Sequence, residues 1–140
     1  MVSWNNLDTL SSYKELADVK PACLTEVMSG DNGAERVKNY SVPMAAGLSY
    51  NYASKQVNEN VLAALEKLAD EAQLADKFKA LYNGEVVNTG EKRLVLHHMT
   101  RGQLGDAVEA DGVDKRTFYK TQQERIAEFA NKVHNGEITN

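Results

Sequence analysis

The adjacent histidines His97 and His98 are the residues whose type most readily suggests chemistry, because imidazole is a common metal ligand. Neighbouring residues on a helix point about 100° apart, so the two rings are poorly placed to bind one metal ion. No cysteine, histidine or acidic residue stands at a usual metal-ligand spacing from either ring. We therefore predict no metal site, and we expect one histidine to pack with the core while the other faces solvent.

Other patterns that carry chemistry in proteins are weak in this chain. Cys23 has no histidine near it in sequence and no serine lies in a nucleophile-elbow context, although a long-range Cys–His pair stays open. Gly102 and Gly105 are the nearest approach to a phosphate-binding loop, but no predicted strand precedes them. Acidic residues in 106–114 lack the order of a calcium loop, and mixed charges in 115–128 indicate a solvated helix face. The residues themselves predict no catalytic residue, cofactor site or metal site.

The composition is that of a folded domain. The 140 residues include 42% hydrophobic and 26% charged side chains, which are ordinary values for one compact domain. The net charge of −4 argues against nucleic acid or an anionic membrane as a general partner. No apolar run is long enough to span a membrane, and the first residues do not resemble a secretory signal. With Cys23 as its single cysteine, the chain is expected to work in the reducing cytoplasm.

Apolar residues spaced by three and four positions predict that most of the chain is helical. Ser3 and Asn58 are suitable N-caps for two of the helices, and Asn88 with Glu91 has the spacing of a capping box. The predicted helices cover residues 4–18, 58–72, 75–82, 90–100 and 114–134.

Glycines and one proline mark the expected ends of these helices. A short helix follows Pro21 and is expected to end at Gly30. Gly84 and Gly136 each follow a helical pattern within the tripeptide Asn-Gly-Glu, and glycine is favoured just past a helix end because it accepts positive φ. Residues 101–113 show little pattern and are expected to form a loop.

Residues 38–53 differ from the rest because their apolar residues alternate. Two short runs with period-two spacing flank a turn at 43–47, which predicts a small β-hairpin. A lone hairpin is only marginally stable, so it should lie against helices or extend another sheet. The alternating residues are Tyr40, Val42, Leu48, Tyr50 and Tyr52. The predicted fold class is mainly α with a small β-hairpin.

Residues 82–101 read Y-N-G-E-V-V-N-T-G-E-K-R-L-V-L-H-H-M-T-R. This run resembles the pattern F-N-G-E-x-I-N-x-T-E-x-R-A-V-L-H-x-A-L-R of the glucose-6-phosphate isomerase family. The matching positions are Asn83, Gly84, Glu85, Asn88, Glu91, Arg93, Val95, Leu96, His97 and Arg101. The run departs from the pattern at Gly90, at Leu94 and at Met99 with Thr100. Residues 51–62 are similar to a second run of the family, and the likeness covers about residues 37–137.

The resemblance implies a dimeric cytoplasmic enzyme of several hundred residues, built around two sugar-isomerase α/β domains. Such an enzyme interconverts glucose 6-phosphate and fructose 6-phosphate in glycolysis and gluconeogenesis. A glutamate moves a proton between C1 and C2 through a cis-enediol, and no metal or organic cofactor is needed. The phosphate-binding loop and the catalytic glutamate, histidine and lysine lie downstream of the matched stretch. None of them can be carried onto a position of this chain.

The resemblance therefore implies that residues 1–140 form one N-terminal helical subdomain, which is non-catalytic by itself and packs on the remaining sugar-isomerase domains. Arg101 is its single candidate for substrate binding, because a guanidinium suits phosphate recognition. An ion pair with a downstream carboxylate is the alternative role for Arg101. The alternative function is a self-contained helical protein-interaction module, which should have a complete polar surface rather than an exposed apolar patch.

Overall fold

The computed structural model describes residues 2–102 and 105–139. The chain divides into two compact units, Asn5–Ala72 and a second unit made of Met1–Trp4 with Gln73–Asn140. Helices predominate, and three two-stranded antiparallel sheets occur within the described residues. The predicted fold class, mainly α with a small hairpin, is confirmed. That residues 1–140 act as one subdomain stays a prediction.

The first unit pairs four helices with one hairpin. Its elements are a 3-10 helix Leu7–Thr9, α1 (Ser11–Asp18), α2 (Leu24–Val27), α3 (Gly30–Asn39), β1 (Ser41–Pro43), β2 (Ser49–Asn51) and α4 (Glu59–Glu71). The hairpin predicted over 38–53 is present, with Val42 opposite Tyr50. The predicted cap of α4 is also present, since the Asn58 side chain accepts from the Val61 N–H at 3.0 Å.

A buried arginine fixes the segment between the hairpin and α4. Arg36 on α3 is only 7% exposed. Its guanidinium donates to the carbonyls of Ala53, Lys55 and Val57 at 2.8, 3.0 and 2.8 Å. The same group lies 3.9 Å from the centre of the Tyr40 ring. These bonds hold the carbonyls of three alternate residues in the loop over 53–57, which have no sheet partner in the described structure.

The second unit is built around a small apolar core. Its elements are α5 (Leu74–Tyr82), β3 (Val86–Asn88), β4 (Arg93–Leu94), a 3-10 helix His97–Arg101, β5 (Glu109–Ala110), β6 (Val113–Asp114) and α6 (Lys115–His134). Leu96, Met99 and Val108 form its core, with Leu94 and Tyr119 packed against them. α5 and α6 lie close to their predicted ranges, 75–82 and 114–134.

The helix predicted over 90–100 is wrong. The segment forms the β3–β4 hairpin and then the short 3-10 helix. The Asn88 side chain does accept from the Glu91 N–H, at 3.1 Å, but this bond closes a turn between strands instead of starting a helix. Lys92 then takes a left-handed conformation with φ of 55°, which ends any helical path.

Three other local predictions also need correction. Gly30 begins α3 with φ of 60° instead of ending the chain's second helix. The helix predicted over 4–18 is an α-helix only from Ser11, after a 3-10 turn, and its N-cap residue is Leu10 rather than Ser3. The loop predicted over 101–113 contains the β5–β6 hairpin, whose two turn residues, Asp111 and Gly112, both have positive φ. None of the helices over the described ranges is long and apolar enough to cross a membrane.

Candidate functional site

A cleft of about 250 Å³ lies where α5 ends beside the 3-10 helix of the second unit. Tyr82 comes from α5, His97, His98 and Arg101 from the 3-10 helix, and Gly102 follows that helix. The cleft thus gathers two histidines and Arg101, the residues that the sequence singled out for metal binding and phosphate recognition. None of the five lining residues is acidic.

The 3-10 helix is held in place by the core beneath it. Met99 is fully buried, and its N–H donates to the carbonyl of Leu96 at 3.0 Å. At the end of the helix, the Gln123 side chain on α6 donates to the carbonyl of Thr100 at 2.6 Å. Because Met99 points inward, its neighbours face the surface, which places His98 and Arg101 at the cleft.

The two histidines take different environments, as the sequence predicts. His97 is exposed and His98 is half-buried. The His98 ring stacks on Tyr82, with centroids 4.7 Å apart and planes inclined by 29°. The Nε2 atom of His98 is buried and has no hydrogen-bond partner in the described part of the chain. A buried ring nitrogen without a partner is costly, so Nε2 of His98 has an unmet requirement for a hydrogen-bond partner.

Arg101 is exposed at the mouth of the cleft. Within residues 2–102 and 105–139 its guanidinium makes no hydrogen bond and no ion pair. The side chain belongs to the last turn of the 3-10 helix, where a cation interacts favourably with the carbonyl end. Its role in substrate binding stays a prediction.

Arg116 bonds to the backbone of Tyr82, which lines the cleft, and its role was not predicted from the sequence, where its segment was assigned to a solvated helix face. The side chain is only 6% exposed. Its Nη2 donates to the carbonyl of Tyr82 at 2.7 Å, and its Nε donates to the carbonyl of Asp106. Asp114 caps the same helix, and the Thr117 hydroxyl and backbone N–H groups at the cap lower the pKa of its carboxyl. No sequence signal distinguished Arg116 from the charged residues around it.

The remaining candidate residues do not assemble a site. Cys23 is exposed, and a hydrogen bond to the Thr25 hydroxyl lowers its thiol pKa, but no described histidine contacts it. The Gly102–Gly105 loop includes residues 103 and 104, which lie outside the described residues. No group of three or more histidine, cysteine or acidic side chains is placed to hold a metal ion in the described ranges.

The described residues therefore bring together neither a nucleophile with a base nor a set of metal ligands. They do form a positively charged cleft on a helical scaffold with a small core. These features define a class of protein: a mainly helical subdomain in whose described residues no catalytic centre is assembled.

Comparison with known proteins identifies the family. Residues 51–140 match the family described as Phosphoglucose isomerase. The chain is 44% identical over 142 aligned residues to the glucose-6-phosphate isomerase of Treponema denticola, which covers 98% of this chain. It is 43% identical to that of Treponema pallidum and 41% identical to that of Borreliella afzelii, over 96% and 99% of the chain. This chain belongs to the phosphoglucose isomerase family.

The length of these relatives differs greatly from that of this chain. The matches cover only 27% of the Treponema denticola protein and 26% of the other two. The chain thus spans about a quarter of the length of the curated relatives it matches, so most of each relative has no counterpart in the 140 residues.

Proposed function

We propose that this chain is the N-terminal, non-catalytic helical part of a glucose-6-phosphate isomerase. The observation that carries the proposal is the match over 98% of the chain at 44% identity against only 27% of the relative. The intact enzyme interconverts glucose 6-phosphate and fructose 6-phosphate by proton transfer through a cis-enediol, in glycolysis and gluconeogenesis. It works in the cytoplasm as a homodimer and needs no cofactor. The partners of this chain are the remaining sugar-isomerase domains.

The exposed area of the chain supports a role that needs further protein. The accessible surface is 10716 Å² for a mass of 15.5 kDa. A compact monomer of this mass would expose about 7,200 Å², and two separate domains of half the mass would expose about 8,700 Å² together. The accessible surface of the chain exceeds even the value for two separate domains, so the division into two units does not account for it. Eight hydrophobic residues are buried in the described part of the chain, and five of them are alanines.

The exposed apolar surface includes one face of α6. Ile126 is 67% exposed and Phe129 is 60% exposed. Phe118 and Val133 lie on the same helical face and are each 45% exposed. Large apolar side chains at helical spacing normally face a packing partner. Helices of this length gain most of their stability from such packing. This face is therefore a surface that further protein covers.

The alternative function, a self-contained interaction module with a complete polar surface, has no observation in its favour. This alternative does not explain the family match. It also predicts a polar surface, whereas one face of α6 is apolar and exposed.

A chimera tests the proposed function directly. In the Treponema denticola relative, the segment aligned with this chain is replaced by these 140 residues, and turnover of fructose 6-phosphate is measured. We expect the chimera to be active, because the reactive groups lie outside the exchanged segment. The matched controls are the unaltered relative and the relative with the segment deleted, which should be inactive. A folded but inactive chimera would contradict the proposal.

A further inference from the structure

We infer that the cleft formed by Tyr82, His97, His98, Arg101 and Gly102 receives a carboxylate side chain from the part of the enzyme that lies outside this chain. The inference rests on the proposed function and names the contact by which this surface recognises its partner. Arg101 supplies the charge, and His98 lines the cleft with a ring whose Nε2 atom has no hydrogen-bond partner among the described residues.

Two independent observations place an acceptor in this cleft. The Nε2 atom of His98 is buried without a partner although its ring is fixed on Tyr82, with centroids 4.7 Å apart. The Arg101 guanidinium lies at the mouth of the same cleft and bonds to no described group. A guanidinium donates through a planar fork and accepts nothing, and an imidazole that carries its proton on Nε2 donates from that atom. The complement is an anion with at least two acceptor atoms.

The donor set favours a carboxylate over a phosphate. Phosphate groups are commonly held by several backbone N–H groups at a helix N-terminus. This cleft lies at the opposite, carbonyl end of a short 3-10 helix, and its lining side chains that can donate are those of Tyr82, His97, His98 and Arg101. A single guanidinium matches the two oxygens of a carboxylate in bidentate geometry. A carboxylate, with one negative charge, therefore matches the single charge of Arg101. A phosphate carries up to two negative charges and would be only partly neutralised by it.

The proposed carboxylate comes from protein outside these 140 residues. Among the described residues, no acidic side chain lines the cleft. The relatives continue for roughly three times the length matched here, since the match covers 27% of the Treponema denticola protein. The proposed function has further protein packed on this chain, and such packing over the cleft would remove Arg101 from water. A desolvated arginine requires a partner, and an aspartate or glutamate on the covering protein provides one.

The test compares the isolated 140-residue chain with the chimera described above. Arg101→Gln should leave the unfolding temperature of the isolated chain unchanged, because the exposed side chain has no partner to lose. In the chimera it should lower the unfolding temperature by roughly 2–3 °C, because a covered carboxylate loses its charge partner. Arg101→Lys should recover only part of the loss, because an ammonium cannot bond in bidentate fashion.

His98→Phe gives a second, independent readout. The phenyl ring keeps the stack on Tyr82 and removes the unpartnered nitrogen, so the isolated chain should be as stable as before or slightly more so. The chimera should be destabilised, since the incoming carboxylate loses a donor. A purely structural histidine would instead destabilise both proteins.

Arg93→Gln is the matched control, since Arg93 is exposed in the same unit and already pairs with Glu91 at 3.6 Å. It should have the same small effect in both proteins. Equal unfolding temperatures for the chimera and its Arg101→Gln variant would overturn the inference. So would an increase in KM for fructose 6-phosphate at unchanged stability, which would assign the cleft to the substrate phosphate. Stability is read without turnover, so an inactive chimera contradicts the proposed function alone.

Discussion

The Glu71 carboxylate at the end of α4 caps the N-terminus of α1, although Ser11 lies sixty residues earlier in the chain. It accepts from the backbone N–H of Ser12 at 2.8 Å and of Ser11 at 3.3 Å, and from both serine hydroxyls. The Ser12 hydroxyl and then the Ser12 N–H lower the pKa of Glu71 to about 2. One side chain thus satisfies two N–H groups that the helix leaves without partners.

Replacing Glu71 by glutamine should destabilise the first unit, because an amide is a weaker acceptor than a carboxylate. The pKa of Glu71 in the folded chain, about 2, lies below the ordinary value of 4.5. Its contribution is therefore complete above pH 4.5 and is lost as the pH falls toward 2. Urea unfolding of the unaltered chain and of the Glu71→Gln variant should be measured between pH 7 and pH 2. The difference between their midpoint urea concentrations should become smaller as the pH falls.

Glu66→Gln is the control for this prediction, because Glu66 is exposed on the same helix and has no described hydrogen bond. Its midpoint should follow that of the unaltered chain at every pH. A gap for Glu71→Gln that is constant with pH would show that the carboxylate does not act as proposed.

Two buried arginines show which residue roles the sequence did not reveal. Arg36 and Arg116 donate mainly to backbone carbonyls that lie 10 to 34 positions away in the chain. Backbone acceptors carry no residue signature, so a charged residue that bonds to them resembles any solvated one. Local caps were predictable by contrast, because Asn58 lies next to the N–H groups that it satisfies.

At the scale of elements, the sequence prediction failed mainly at the turns of two hairpins, β3–β4 and β5–β6. The Asp111-Gly112 pair is a recognised signal for a two-residue hairpin, and it would have predicted β5 and β6. Asn88 and Glu91 gave a true signal for a turn, but the same spacing serves a helix start and a turn between strands. Strands β3 to β6 are only two or three residues long and lack an alternating pattern, whereas the alternation around the equally short β1 and β2 extends over residues 38–53.

The helix-ending glycines Gly84 and Gly136 provide a matched pair for the next prediction. Both have positive φ, 71° and 74°, just past a helix end. A Cβ atom at Gly84 would lie 2.2 Å from Cγ1 of Val108, whereas one at Gly136 would meet nothing within 4 Å. Gly136→Ala should therefore cost about 1 kcal/mol for its left-handed backbone alone.

Gly84→Ala should cost roughly 2–4 kcal/mol, because overpacking against Val108 adds to the same backbone strain. Chemical denaturation of the isolated chain measures both free energies of unfolding. Val108 belongs to the small core beneath the 3-10 helix, so the larger loss should also disturb the cleft. Equal losses for the two alanine variants would contradict the contact between Gly84 and Val108.

At the scale of the molecule, the amphipathic pattern of α6 predicted a helix correctly but did not reveal what its apolar face packs against. Ile126 and Phe129 follow the spacing of a buried face and are nevertheless mostly exposed. Apolar residues at helical spacing indicate that one face of a helix packs against other protein. They do not indicate whether that protein belongs to the same chain. The motif at 82–101 supplied that missing information, because it resembles a family whose members are much longer.

The central claim is the proposal that this chain is part of an isomerase whose reactive groups lie outside these 140 residues. The purified chain should be assayed for conversion of fructose 6-phosphate to glucose 6-phosphate, with the active chimera measured at the same concentration. The account predicts turnover by the chimera and none by the isolated chain. Turnover by the isolated chain, retained through repeated purification, would contradict it.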